Sequence, residues 1–222
     1  MGGDNGHHRV EAPVAAAHAG DLHSLLHACA STHHHLCPRQ VLGVRMGLLA
    51  GEGLGLELPR RDKRLLAIIE TDGCLIDGVA VATGCRVGRR TMRVLDFGKM
   101  AATFVDIPSE RALRVTPHPN CRAAAAHYAP EATSRWEAYL IGYQRMPDGV
   151  LLVAEAVTLT TPLARLLSRE GHRVCCDVCG EEIFNEREVH PAGKPVCRAC
   201  AGECYYWRHG GAGFDSDAGV GV

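Results

Sequence analysis

The spacing Cys176-x2-Cys179, then 17 residues, then Cys197-x2-Cys200 sets four thiols in two short pairs. Two tight turns, each presenting two thiolates, can close a tetrahedron about one divalent ion at Zn–S distances of about 2.3 Å. Gly180 after the first pair and Ala201-Gly202 after the second allow such turns. Between the pairs, Glu182-Ile183-Phe184 and Pro195-Val196 flank Gly193, and a hairpin is expected there. A module this short buries too little apolar surface to fold alone, so the ion is expected to supply its folding energy. From Arg173 to Tyr206 there are four basic residues (Arg173, Arg187, Lys194, Arg198) and six acidic ones (Asp177, Glu181, Glu182, Glu186, Glu188, Glu203). A net −2 favours a structural zinc knob for protein contact over a nucleic-acid reader. Cys175 would shift the register by one, to a less usual spacing, and Cys204 is a spare thiol.

A second constellation lies near the N-terminus. His33, His35 and Cys37 alternate immediately before Pro38, which suits the first turn of a helix. Cys74 also stands between an apolar run and a helix-like segment, beside Asp72 and Gly73, and Cys85 follows Gly84. A cysteine at a helix start feels the positive end of the dipole, which favours the thiolate. Softness and geometry make His35, Cys37 and Cys74 a three-ligand site for zinc or another divalent metal, with an open position for water or substrate. Cys85 and His33 are expected beside them or as alternate ligands. His33 and Asp72 are candidates for moving protons there. Taken singly, each of these residues reads more readily as a packed cysteine, a surface histidine or a turn residue than as a ligand or base; it is their combination that points to a site. His23 and His27, four apart, read as a solvated helix face, and Lys99 after Gly98 as a solvated strand end.

The elements that must position these residues follow from periodicity. Leu22, Leu25, Leu26 and Ala30 recur at helical spacing after a plausible N-cap, Asp21. In the helix from Pro38, Val41, Leu42, Arg45, Met46 and Leu49 form one stripe. Gly43, Gly47 and Gly51 form another, which costs helix stability and implies a close backbone approach by a helix, a sheet or a second copy of the chain. Lys63–Glu70 reads as a buried strand and Ile76–Thr83 as a short helix. Thr91–Leu95 reads as a strand, and Lys99–Asp106 with Arg111–Thr116 as a hairpin. Ala129–Met146 is expected to be one helix with Trp136, Leu140 and Tyr143 on its apolar side. Val150–Leu159 follows as a last strand and Leu163–Leu167 as a short helix. Strands interspersed with helices, with a hairpin among them, predict an α+β fold with a mixed sheet.

Composition bounds the rest. The chain has 222 residues, 46% of them hydrophobic, and a formal charge of −1. That is globular composition without a global electrostatic case for nucleic acid or an anionic membrane. No run reaches the roughly 18 apolar residues needed to span a bilayer, and Met1–His8 lacks the pattern of a secretory signal. Eleven cysteines in such a chain read as ligands or reduced thiols in the cytoplasm. No glycine fingerprint implies a nucleotide cofactor. The expected organisation is a mobile tail over 1–17, an α+β core over 18–167, a finger over 168–207 and a mobile tail over 208–222.

The segments HHHLCPRQVLGVRMG (33–47), ETDGCLIDGVAVATGCRVGRRTMRV (70–94) and DFGKMAATF (96–104) resemble the FmdE family, named for a component of molybdenum formylmethanofuran dehydrogenase. CDVCGEEI to CRAC (176–200) resembles the zinc finger that many members append. The resemblance spans about residues 20–165. It implies an α+β core with a mixed sheet, a treble-clef-like finger and a metal site in the core carried by His33, His35, Cys37, Cys74 and Cys85. It also implies a homodimer, and a molybdenum enzyme as partner in one-carbon or molybdopterin-linked redox metabolism. Where the family pattern reads H-G-H-x-C-P-G, this chain has His34 and Arg39 in place of the two glycines.

Overall fold

The computed structural model describes residues 19–33 and 35–206, with side chains for 22–31 and 35–206. The tails expected over 1–17 and 208–222, and His34, lie outside the described residues. The chain divides into two compact units between Leu163 and Ala164, a few residues before the boundary suggested by composition.

The first unit opens with helix α1 (Ala19–His33), helix α2 (Pro38–Leu54), strand β1 (Leu65–Ile69), helix α3 (Cys74–Thr83) and strand β2 (Met92–Val94). The hairpin strands β3 (Ala102–Asp106) and β4 (Ala112–Pro117) follow. After them come α4 (Cys121–Ala124), a 3-10 turn (Ala125–Tyr128), α5 (Arg135–Arg145), α6 (Asp148–Leu151) and β5 (Leu152–Val157). The strands form one sheet in the order β2-β1-β3-β4-β5. β1 runs parallel to β2 and antiparallel to β3, and the remaining pairs are antiparallel. The expected mixed sheet and α+β class hold. β1 is buried over its whole length and flanked by a strand on each side, with Leu65, Ala67 and Ile69 packed into the core that the helices share, so a continuous apolar run suits it.

α2 and α3 are the closest-packed pair. A Cβ on Gly43 would fall 2.4 Å from the Leu75 carbonyl oxygen, and one on Gly78 would fall 2.3 Å from the Gln40 carbonyl oxygen. A Cβ on Gly47 would fall 2.6 Å from Ala82 Cβ, so the two helices run parallel and in register. The glycine stripe is therefore consumed within the unit, and the homodimer expected from it loses that ground. Arg45, on the same helix, is buried and caps the far end of α5. Its guanidinium donates to the carbonyls of Tyr143 at 2.8 Å and Met146 at 2.7 Å and to Asp148 Oδ1 at 2.6 Å. A cation there satisfies orphan carbonyls and the negative end of the helix dipole.

The helix expected over Ala129–Met146 starts only at Arg135. Ser134 caps it by accepting from the Glu137 N–H at 3.1 Å, while the Glu137 carboxylate accepts from the Thr133 N–H and hydroxyl, each at 2.7 Å. This cap fixes the first turn and turns Trp136 out to 51% exposure, although Tyr143 is buried as expected. Two carboxylates at strand ends are held by arginines. Arg114 Nε and Nη2 donate to the two Glu70 oxygens at 2.7 and 2.8 Å, and Arg64 Nε donates to Asp106 Oδ1 at 2.6 Å.

Gly43→Ala or Gly78→Ala should each lower stability by about 1–3 kcal/mol in thermal or urea unfolding, because the obstructing atoms are backbone. Gly53→Ala should change it by less than about 1 kcal/mol, since a Cβ there meets only the movable Leu113 Cδ2. The guanidinium bonds of Arg114 and Arg64 hold Glu70 and Asp106 below the usual carboxylate range. Their contribution is present above the unfolded pKa and is lost as pH falls through the lower folded values. A melting-temperature series from neutral to acid pH should accordingly show a shallower acid loss in Glu70→Gln than in wild type.

Candidate metal centres

In the second unit, helix α7 (Leu163–Leu167), which starts at the break, leads to strands β6 (Arg173–Cys175) and β7 (Glu182–Phe184), which pair antiparallel across the first cysteine turn. The hairpin expected about Gly193 differs in its partner: Val196 bridges to Val189, while Glu182–Phe184 pairs with Arg173–Cys175. The cysteine turn itself is the shortest link between two strands, so it takes the pairing. The Gly180 N–H donates to the Cys176 carbonyl at 2.9 Å, and Gly180 has a φ of 75°, a conformation that favours glycine.

The sulfurs of Cys176, Cys179, Cys197 and Cys200 all lie within 4.8 Å of one another. Those of Cys179 and Cys197 are 3.9 Å apart, close to the ~3.8 Å edge of a tetrahedron with 2.3 Å metal–sulfur bonds. The Cys197 N–H donates to Cys176 Sγ and the Cys200 N–H to Cys197 Sγ, both at 3.3 Å, so the backbone already stabilises charge on sulfur. The Cys176 thiol is brought down to about 6 by the backbone N–H groups of Cys179 and Cys197, whereas burial pushes Cys200 up. Four thiolates this close repel unless a cation sits among them, so the donor set fits a zinc finger. Around it only Cys176, Ile183 and Val196 are buried, too small a core to hold the module without the cluster. Cys175 is exposed outside the cluster, and Cys204, also exposed, donates to the Tyr206 carbonyl at 3.0 Å. None of the eleven cysteines forms a disulfide.

In the first unit the parallel packing of α2 and α3 brings their N-termini to one end of the sheet. Cys37, before α2, is buried, and Cys74, opening α3, is half-buried. The Cys74 thiol is pushed up first by burial, then by the Cys37 thiol acting as hydrogen-bond partner and as like charge. The dipole was expected to favour a Cys74 thiolate; desolvation and the neighbouring sulfur outweigh it. Gln40, fully buried, fixes Cys37 by accepting from its N–H at 2.8 Å.

The rest of the expected constellation is not gathered. Among the described residues, three or more ligand atoms of His, Cys, Asp or Glu converge only at the finger, so His35 does not join Cys37 and Cys74. His35 is exposed at the end of the loop, ahead of the buried Cys37. Cys85 is a correction as well: it lies beyond the other end of α3, whose ten residues make about 15 Å, and its Sγ faces the Leu65 carbonyl at 3.5 Å. Asp72 is exposed in the turn. The His33 side chain lies outside the described residues. Two groups that the sequence reading missed stand by the pair instead. Cys29 on α1 is fully buried, its thiol pushed up to about 11 by burial, then by the charges of Asp77 and Cys37. Asp77 also acts on Cys74. The signals were present: Cys29 continues the Leu22, Leu25, Leu26 stripe, and Asp77 is one helical turn after Cys74. Arg39 Nη1 lies 3.9 Å from where a Gly73 Cβ would stand, so its guanidinium overhangs the turn into Cys74.

A family model described as FmdE, Molybdenum formylmethanofuran dehydrogenase operon, matches residues 32–152. The chain is 29% identical over 195 residues to a protein of Archaeoglobus fulgidus named "Probable S-adenosyl-L-methionine-binding protein", a match covering 78% of this chain and 51% of that protein. It thus spans about half the length of the curated relative it matches. A solved structure from Syntrophus aciditrophicus, described as an FmdE-like protein of the tungsten formylmethanofuran dehydrogenase type, is similar with a TM-score of 0.55 and 23% identity. That match covers 84% of this chain and 95% of the other, and at this identity it bears on the fold alone.

Cys197→Ser removes one corner of the sulfur cluster. Limited proteolysis should then cut within 173–206 while the first unit stays protected, because the first unit has its own apolar core. A finger as resistant as wild type would refute a structural role for the cluster.

Proposed function

The chain belongs to the FmdE family, and from that premise we propose a cytoplasmic metal-binding protein of one-carbon or other molybdopterin-dependent redox metabolism, serving a molybdenum enzyme such as formylmethanofuran dehydrogenase. The observation that carries this reading is the meeting of Cys37 and Cys74 at two parallel helix starts, both inside the matched segment. Their chemistry suits a soft divalent ion, zinc among them, with the remaining positions open to water or an external ligand. Such an ion would polarise a bound oxygen. The chain's own groups do the rest: Gln40 holds Cys37 in place, Asp77 and Cys29 set the field behind the pair, and Arg39 brings a positive charge over the Cys74 turn. In the second unit zinc would be structural. The homodimer belongs to this proposal on the family resemblance alone, and a sedimentation mass of 23.8 kDa at micromolar concentration would count against it.

A second reading makes the protein a non-catalytic accessory that docks through its finger. The finger's acidic excess and its exposed Val178, Phe184 and Tyr205 favour that reading. Metal content separates the two. Reduced, purified protein should carry two ions per chain, falling to one in Cys74→Ala with the finger still protease-resistant. One ion in wild type and no loss in Cys74→Ala would leave the accessory reading standing.

A further inference from the structure

The net charge of −1 conceals a strongly basic region in the first unit. Residues 60–64 carry Arg60, Arg61, Lys63 and Arg64 against Asp62, and residues 86–93 carry Arg86, Arg89, Arg90 and Arg93 with no acid. The fold joins these two segments. The Arg60 N–H donates to the Thr83 carbonyl at 2.9 Å, a Cβ on Gly84 would strike the Arg60 backbone, and the Arg89 guanidinium donates to the Arg61 carbonyl. The ion pairs of Arg60 with Asp62 and of Arg64 with Asp106 are among the contacts that offset part of the charge. Arg61 and Arg86 are exposed, and the lining of the small notch between the segments includes Arg60, Arg61, Lys63 and Arg89.

The region continues along β2, the edge strand, into exposed apolar side chains. Val87 is 59% exposed in the turn before β2, Leu95 45% and Phe97 65% after it. Strand addition is not what this edge offers: β2 is three residues long, and Arg93 spends its Nη1 on the carbonyls of Arg90 and Met92. Recognition must run through side chains. Guanidiniums before β2 and exposed apolar groups after it, with the exposed Asp96 between Leu95 and Phe97, make a composition close to that of protein interfaces, where arginine and aromatics are enriched and lysine is depleted. A nucleic-acid strand would want aromatic platforms among the cations, and the basic segments hold none.

We propose that the basic region formed by 60–64 and 86–93, with Val87, Leu95 and Phe97 along the β2 edge, docks an acidic protein segment that also carries apolar side chains. Carboxylates pair with the exposed guanidiniums, and the apolar side chains cover Leu95 and Phe97.

The test uses the full, metal-loaded chain and three fluorescent probes of equal charge: a peptide alternating glutamate and leucine, an all-glutamate peptide and a single-stranded oligonucleotide. The alternating peptide should bind tightest, and its affinity should fall with added salt. The double variant Arg61→Glu/Arg86→Glu should weaken it about tenfold, and Phe97→Ser should reduce it to the level of the all-glutamate peptide. The milder pair Arg61→Gln/Arg86→Gln, checked by circular dichroism for an unchanged melt, should give a smaller loss in the same direction. Unchanged peptide binding in both double variants would overturn the proposal. So would an oligonucleotide that binds as tightly as the alternating peptide and ignores Phe97→Ser, which would make the region a phosphate-backbone site.

Discussion

The backbone contact between Gly43 and Gly78 governs the first unit. No side chain fits between α2 and α3 there, so the two helices lie parallel with their carbonyls and Cα atoms in contact. Parallel packing places two positive helix ends side by side, which is electrostatically costly and marks the place where negative charge is welcome. Cys37 and Cys74 stand at those two ends. The glycines also explain how distant residues meet: Gly43 faces Gly78 and Gly47 faces Ala82, so the helices run parallel and their N-terminal ends, where Cys37 and Cys74 stand, lie side by side.

What surrounds that contact is arranged to hold it. Gln40 ties the Cys37 N–H into a buried position, and Arg45 fastens the other side of α2 to the end of α5. Both of these buried polar side chains have partners, which matters because an unpaired one would cost about as much as the bond it lacks. Burial pushes the Cys29 and Cys74 thiols up. In the finger, N–H groups point at sulfur and hold Cys176 down. An external cation would offset the burial that disfavours a Cys74 thiolate, whereas the finger is half prepared for one by its own backbone.

The sequence carried a large share of this. The two Cys-x2-Cys pairs were legible because four ligands at fixed short spacing need only two local turns, and local turns are written in neighbouring residues such as Gly180. The strands and helices of the first unit were legible from apolar period, and the mixed sheet from the hairpin among them. The helix expected over Ala129–Met146 starts later than its apolar period suggests because Ser134 caps it through the Glu137 N–H, leaving 129–134 outside.

Sequence by itself thus determined the ligand turns, the element order and the glycine stripe. Only tertiary structure decided what the stripe meets, that Cys85 stands at the wrong end of α3, that Cys29 and Asp77 flank the Cys37–Cys74 pair, and that eight basic residues share one region under a net charge near zero. The physical reason is range. Capping, turn geometry and helical period act over a few residues and can be read along the chain, whereas the direction of one helix against another is settled by which backbones can touch, and that choice places every distant side chain.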